Sequence, residues 1–278
     1  MIVTPLHIVF SVAVVTLVGL FFLKVGVFDA TGFASATVTG GLVLIFGGVS
    51  WFIVLVSFLV FISLFTKYKY ETKNAMNILK DKGGLRTWKN VVANGLIAAL
   101  AALGHGVTAL TLGLSSSTVY HSLFLGAVST AAADTLATEI GLLSRNEPRL
   151  ITKLSERVNR GVSGGVSPLG ALASLLGAFI VGGTSLTFTF GGFSVGKTFT
   201  LVLFSGFLGS TLDSVLGATI QARYTCPVCG KITEQKHHCG KSATLIQGWK
   251  NVDNDVVNFI STVFGAVIAL ILFSIKAF

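Results

Sequence analysis

Acidic residues lie within or beside long apolar stretches of this chain. Asp134 and Glu139 belong to AAADTLATEIGLLS, Asp213 belongs to GFLGSTLDSVLGATIQAR, and Asp255 belongs to NVDNDVVNFI. A charged group inside an apolar span costs free energy, so it usually serves a function. Carboxylates also suit Mg²⁺. We therefore predict these four acids as catalytic residues, with Asp134 and Asp213 as magnesium ligands and the other two as candidates for a second metal or its waters.

The alternative is that these residues only join helices through hydrogen bonds. Asp134, Thr135 and Thr138 share roughly one helical face, because positions three and four apart are neighbours. Threonine and serine commonly link membrane helices in this way, whereas repeated aspartates seldom do. The functional interpretation is therefore favoured.

A basic segment rich in glycine and serine precedes the sixth apolar run. Glycine lets backbone N–H groups turn toward an anion, a helix N-terminus adds partial positive charge, and basic side chains supply the rest. The pattern matches neither the P-loop nor the Rossmann motif. Beside acids that are predicted to hold Mg²⁺, it completes the parts needed for phosphoryl transfer. The predicted phosphate-binding residues are Lys153, Arg157, Arg160, Gly161, Ser163, Gly164 and Gly165.

All three cysteines lie in one polar segment, RYTCPVCGKITEQKHHCGKSATL. Cys226 and Cys229 form a Cys-x-x-Cys turn, and Cys239 follows His237 and His238. Three thiolates and one imidazole suffice for a tetrahedral structural Zn²⁺ site. The spacing does not decide which histidine binds. Free thiols without a metal, or a redox pair, are the alternatives.

Composition indicates what must position these groups. Charged residues are 11% of the 278 residues, against about 25% in a soluble domain, and 52% are hydrophobic. The sequence predicts an all-α polytopic membrane protein with about eight transmembrane helices. Gly47 and Gly48 split the second and third runs into a tight hairpin. The apolar runs are 7–28, 31–47, 49–66, 91–113, 118–143, 164–183, 194–222 and 252–275.

Charge supports this arrangement independently. Of the 20 basic residues, all except Lys197 and Lys276 fall on one side of the eight-span arrangement. The positive-inside rule makes that side cytoplasmic and puts both termini outside. The formal charge of +9 then reflects topology and binding of anionic headgroups or phosphates rather than nucleic acid. The chain is predicted to be one membrane domain over 1–278, with the Cys/His loop inserted at 223–250.

Four ordered strings carry a family resemblance, and they are ADTLATEIG, RGVSGGVSPLG, GSTLDSVLGATIQARYTCPVCGK and NVDNDVVN. They resemble a membrane family that includes the plant chloroplast phytyl-phosphate kinase and animal transmembrane protein 19. The similarity runs from about Asn90 to the C-terminus and is weaker in the first three spans. This family is in turn distantly similar to CTP-dependent polyprenol kinases.

The resemblance implies roles for several residues. Asp134 and Glu139 match the acidic helix of the polyprenol kinases, while Lys153, Arg160, Gly161, Ser163, Gly164 and Gly165 match their phosphate loop. At 162–166 this chain has Val-Ser-Gly-Gly-Val where those kinases favour Lys-Ser-x-Glu-Gly.

Residues and resemblance together predict a kinase. It would transfer phosphate from a nucleoside triphosphate, CTP being favoured, to an isoprenyl monophosphate such as phytyl or geranylgeranyl phosphate. A transporter or flippase for an anionic or isoprenoid-phosphate substrate is the alternative, because intramembrane acids and glycine-interrupted spans fit it too. Since no transit peptide precedes the first span, a prokaryotic plasma membrane is expected.

Overall fold

The computed structural model describes residues 4–75, 84–112, 117–187 and 193–275. Within these ranges eight helices are long and apolar enough to cross a membrane, as predicted. They are α1 (Pro5–Lys24), α2 (Ala30–Leu42) with its π-helical extension (Val43–Gly47), α3 (Val49–Lys67), α5 (Trp88–Leu112), α6 (Ser117–Gly141), α7 (Pro168–Thr187), α8 (Val195–Thr219) and α9 (Asn254–Ser274), while α4 (Tyr70–Ala75) is a short helix between spans.

The predicted hairpin in the first half is confirmed. The π-helical extension ends at Gly47, and α3 begins at Val49. Between them Gly48 has φ 87° and ψ 179°, a conformation that an L-residue with a side chain rarely adopts. A single glycine thus reverses the chain between two spans.

The polar connections meet at one end of the helices. The backbone of Phe28, before α2, bridges to Arg86, before α5. Lys89 at the start of α5 lies 4.0 Å from Asp253 before α9. These contacts agree with the predicted clustering of basic connections on one side. Three of the 20 basic residues, Lys80, Lys82 and Lys276, and the end of the fourth run at 113 lie outside the described residues.

Helix α6 occupies the centre of the bundle. In an apolar stretch of 18 residues, 61% of α6 is buried, against 22% of α1. The reason is that α6 packs against α5, α7, α8 and α9. Small residues permit this close approach. A Cβ at Gly177 of α7 would come within 2.6 Å of the Ala132 carbonyl oxygen, and one at Gly206 of α8 would lie 2.7 Å from the Ala178 Cβ.

Short antiparallel strands occur in two polar segments, which the all-α prediction did not include. Backbone outside the helices must satisfy its hydrogen bonds in another way, and hairpins do so locally. The first sheet has the order β2-β1-β3 and the second β5-β4-β8, while β6 and β7 form a separate pair. The strands are β1 (Arg149–Leu150), β2 (Lys153–Arg157), β3 (Gly165–Val166), β4 (Arg223–Thr225), β5 (Ile232–Thr233), β6 (His237–His238), β7 (Lys241–Ser242) and β8 (Thr244–Gln247).

Candidate functional site

The acids of α6 and α8 lie at one level of the bundle. The Thr130 hydroxyl donates to the Ser205 carbonyl oxygen at 3.0 Å, and a Cβ at Gly209 would overlap the Thr130 side chain. Asp134 follows Thr130 by four residues, and Asp213 follows Gly209 by four, about one helical turn in each case. Since the two helices run in the same direction, the half-buried carboxylates of Asp134 and Asp213 stand on adjacent helices at the same height.

Helix α9 adds the third side of this site. The side-chain amide of buried Asn258 is oriented so that its nitrogen faces two acceptors. It donates to the Asn254 carbonyl and to Asp213 Oδ2, each at 3.1 Å. Asp255 precedes Asn258 by three residues and therefore shares its face of α9. Asp134, Asp213 and Asp255 thus lie on the sides of α6, α8 and α9 that pack together, and we call them the acidic cluster.

Glu139 does not join the acidic cluster. It follows Asp134 by five residues, which rotates it by about 140° around α6. Its Oε2 lies 2.6 Å from the Nζ of fully buried Lys73, and its Oε1 accepts a 3.0 Å hydrogen bond from Thr66. Lys73 also donates to the Phe65 carbonyl at 2.8 Å. Glu139 therefore joins α6 to α3 and α4.

The predicted basic residues of the first sheet are exposed. Lys153 and Arg157 lie on β2, 3.3 Å from Glu156 and 3.6 Å from Glu147 respectively. Gly165 begins β3 at the opposite edge of the same sheet. The two cations thus face solvent in surface ion pairs, which contribute little to stability.

The glycine-rich loop packs against the end of α8. Gly161 and Gly164 have φ of 81° and 78°, which glycine tolerates. A Cβ at Gly164 would lie 2.5 Å from the Ala218 Cβ, so the backbones approach closely. Gly217 follows Asp213 by four residues, about one helical turn, and a Cβ there would lie 3.0 Å from the Gly164 nitrogen, so the loop packs one turn beyond Asp213 on the same side of α8. Arg160, just before the loop, donates to a backbone carbonyl at 3.3 Å.

Ser163 fixes this loop through several partners. Its hydroxyl donates to the carboxylate of Glu234 and accepts from Gln221 Nε2 at 3.0 Å. Arg223 donates to the Ser163 carbonyl and, at 3.0 Å, to the Gly217 carbonyl. Burial lowers the pKa of Arg223, and the charge of Glu234 opposes that shift. Because Glu234 belongs to the cysteine-containing segment, that segment and the glycine-rich loop are joined directly.

Three cysteines and one histidine form a compact donor set. The sulfur atoms of Cys226, Cys229 and Cys239 and a ring nitrogen of His238 all lie within 4.8 Å of one another. Tetrahedral Zn²⁺ with bonds of about 2.3 Å separates its sulfur ligands by about 3.8 Å. The donor types and their spacing therefore fit a structural zinc site. Among the described residues, no other cluster of this kind is present.

The structure also distinguishes the two histidines. His238 Nδ1 lies 3.5 Å from Cys229 Sγ and 3.3 Å from Cys239 Sγ, whereas His237 Nδ1 lies 3.3 Å from the Ser242 hydroxyl. A backbone hydrogen bond from Cys229 lowers the pKa of Cys226 to about 6. Hydrogen bonding with Cys229 raises the pKa of Cys239 to about 11. The thiols thus oppose one another's ionisation, and a bound cation would favour their thiolate forms.

Comparison with known proteins places this architecture in a family. The family described as Integral membrane protein DUF92 matches residues 13–266. The chain belongs to this DUF92 family. Protein PGR of Arabidopsis thaliana is 32% identical over 216 residues, covering 72% of this chain and 73% of PGR. The membrane protein MJ0933 of Methanocaldococcus jannaschii is 26% identical over 272 residues, covering 97% and 96%.

A further DUF92 relative comes from a plastid. Protein VTE6, chloroplastic, of Arabidopsis thaliana is 24% identical over 248 residues, covering 88% of this chain and 65% of VTE6. No solved structure matches the chain. Membership of the family confirms the resemblance predicted from the four sequence strings.

Several residues at this site were not predicted. Lys73 is the buried partner of Glu139, Asn258 binds Asp213, and Glu234 reaches Ser163. Asn258 had a usable signal, since it shares a helical face with Asp255. No sequence signal distinguished Lys73, because it is one of several cations within a basic segment.

Proposed function

We propose that the protein is a kinase that converts an isoprenyl monophosphate, such as phytyl or geranylgeranyl phosphate, to the diphosphate. An oxygen of the acceptor phosphate attacks the γ-phosphorus of a nucleoside triphosphate, with CTP the favoured donor. The bond from that phosphorus to the β,γ-bridging oxygen breaks. The products are the isoprenyl diphosphate and a nucleoside diphosphate.

The observation that carries this proposal is the position of the glycine-rich loop beside Asp213, with Asp134 level with it. Phosphoryl transfer depends on positioning and on neutralising charge, and these elements supply both. In addition, the family resemblance includes a plant chloroplast phytyl-phosphate kinase, and a chloroplast protein is among the relatives found. The acids lie toward the polar ends of their spans, which suits a soluble donor and a membrane-embedded acceptor.

The acidic cluster offers oxygen ligands of the kind that Mg²⁺ prefers. Asp134 and Asp213 would hold it, Asp255 is the candidate for a second ion, and the metal would neutralise charge on the transferred phosphate. Backbone N–H groups of the glycine-rich loop and the Arg160 side chain would orient the nucleotide phosphates. The contacts of Glu139 favour a positioning role for that residue. The exposure of Lys153 and Arg157 favours long-range attraction of the nucleotide over direct contact.

For the cysteine cluster we propose a structural Zn²⁺ bound by Cys226, Cys229, His238 and Cys239. A site with four protein ligands has no open position for catalysis. Its role would be to hold the segment that carries Glu234 against the glycine-rich loop. Elemental analysis of purified protein should give about one zinc per chain, and Cys229→Ser should lose it while His237→Ala keeps it. Equal zinc loss in both variants would contradict this ligand set.

We also propose that the basic connections face the cytoplasm of a prokaryotic cell, with both termini outside. The support is the positive-inside rule applied to the clustered connections. Labelling from outside intact cells with a membrane-impermeant thiol reagent tests this. Cysteine introduced at exposed Lys231 should stay unlabelled, and cysteine introduced at Leu6 should react.

Turnover of purified protein in detergent tests the kinase directly. Geranylgeranyl or phytyl monophosphate and Mg²⁺ are supplied with each of the four nucleoside triphosphates, and the diphosphate product is followed by mass spectrometry. Product with one nucleotide identifies the donor. No product from folded protein with any pair overturns the proposal, and vesicle uptake without nucleotide would then support the transporter.

A further inference from the structure

A cavity of about 270 Å³ lies at the polar ends of α1 and α3, apart from the glycine-rich loop and the cysteine cluster. It is formed between the α1–α2 turn, the end of α3, α4 and the segment before α5. Its lining combines two cations, several hydroxyl groups and an apolar wall. The lining residues used below are Val27, Ser63, Thr66, Lys67, Tyr70 and Arg86. We call this space the Arg86 cavity.

Arg86 is held in place by its backbone. Its N–H donates to the Val27 carbonyl at 2.9 Å, and its own carbonyl accepts from Asp29 N at 3.2 Å. A Cβ at Gly32 would overlap that same carbonyl, so α2 packs directly on this strand-like segment. The backbone from which the Arg86 side chain extends is therefore fixed by its packing against the α1–α2 turn and α2.

Among the described residues, little compensates the Arg86 charge. Its guanidinium is 3.5 Å from the Asn90 amide oxygen, at the limit of a hydrogen bond, and no carboxylate of the described residues forms an ion pair with it. Desolvation lowers the pKa of Arg86 to about 10, and the charge of Glu139 opposes this shift. The group thus remains protonated at neutral pH. A largely desolvated cation beside an open cavity favours an anionic ligand there.

Lys67 brings a second cation to the same cavity. Its Nζ donates to the Val25 carbonyl at 2.5 Å, and an ammonium group has three donors. The hydroxyl protons of Ser63 and Thr66 go to the Leu59 carbonyl and to Glu139. The lining therefore presents its donors mainly through the two cations, which suits an acceptor-only group such as a phosphate.

The depth of the cavity indicates the source of that phosphate. The last residues of α1 and α3 are Lys24 and Lys67, so this level is where lipid headgroups lie. The wall formed by Val27 and Tyr70 combines apolar and aromatic surface, as residues at a membrane interface do. We propose that the Arg86 cavity binds the phosphate of a lipid phosphomonoester, with Arg86 and Lys67 as its charged ligands. This site goes beyond the kinase proposal and does not depend on it.

Native mass spectrometry of the detergent-solubilised protein, without nucleotide or Mg²⁺, tests this inference. Geranylgeranyl phosphate should bind at least about tenfold more tightly than geranylgeraniol, which lacks the phosphate. Arg86→Gln and Lys67→Gln should bring the affinity for the phosphate close to that for the alcohol. Lys89→Gln, an exposed cation three residues from Arg86, is the matched control and should leave binding unchanged.

Further ligands and variants identify the source of the phosphate and control for misfolding. Inorganic pyrophosphate or CTP that bound in an Arg86-dependent way, while the lipid did not, would overturn the lipid assignment. So would equal binding of phosphate and alcohol. If Arg86→Gln lowers the melting temperature sharply, Arg86→Lys should still bind the lipid with intermediate affinity. Because neither nucleotide nor Mg²⁺ is present, this binding is measured apart from turnover, which separates failure of this site from failure of the kinase proposal.

Discussion

Two acids on the same helix have different surroundings. Asp134 lies on the side of α6 that meets α8 and α9, level with Asp213. Glu139, five residues later, points to α3 and α4, where Lys73 and Thr66 bind both of its oxygens. From the sequence the two acids are equivalent, since both are carboxylates near the end of one apolar span.

The contrast lies in what surrounds each intramembrane carboxylate. A carboxylate that is bound on both oxygens by a buried lysine and a hydroxyl is satisfied, and its removal leaves the lysine without a counter-ion. For Asp134 and Asp213 we propose instead that a metal ion is held between α6 and α8. Each of the following variants tests this contrast.

The largest effect is expected for Asp134→Asn. Loss of one magnesium ligand should lower turnover by about 10²-fold or more, because the amide keeps the shape of the side chain but not its charge. The measurement is formation of diphosphate product at saturating lipid, with the melting temperature as a check on folding. Asp253→Asn is the control, since Asp253 caps α9 by accepting from Val256 N, and asparagine caps equally well. Near-normal turnover of the Asp134 variant would remove this residue from the mechanism.

Glu139→Gln should act mainly on stability. It removes the charge that balances fully buried Lys73, and breaking such a pair costs about 3 kcal/mol. Thermal unfolding in detergent should show the loss, and Glu139→Gln combined with Lys73→Met should recover most of it. Turnover per folded molecule should fall far less than for Asp134→Asn. A stable but inactive Glu139 variant would instead show that Glu139 takes part in the reaction.

The sequence was informative where a feature repeats along one element. Asp134 and Asp213 each follow a run of small residues, and the two spans that carry them pack against each other. Gly48 and the Cys-x-x-Cys turn are likewise local signals. The Lys73–Glu139 pair spans 66 residues and has no periodic signature, so only the tertiary packing reveals it. The choice of His238 over His237 also depends on how the strands pair, which spacing does not determine.

Glu234→Ala tests the support of the acidic cluster from the cysteine segment. It removes the acceptor of the Ser163 hydroxyl, which should loosen the glycine-rich loop next to Asp213. We expect the KM for nucleotide to rise about five- to tenfold, with a smaller change in kcat and no loss of zinc. Glu156→Ala, on exposed β2, is the control and should be neutral. A fall in kcat alone would contradict a positioning role for Glu234.

The smallest effect is expected for Lys153→Gln. The side chain is 68% exposed and pairs with Glu156 across solvent, so its removal should change stability by less than about 0.5 kcal/mol. As part of a basic surface it would attract the nucleotide from a distance, and such attraction is screened over about 8 Å at physiological salt. The KM for nucleotide should therefore rise about two- to threefold at low salt and be unchanged at high salt. A large increase that persists at high salt would instead show direct phosphate contact, which requires β2 to move toward the acidic cluster during the reaction.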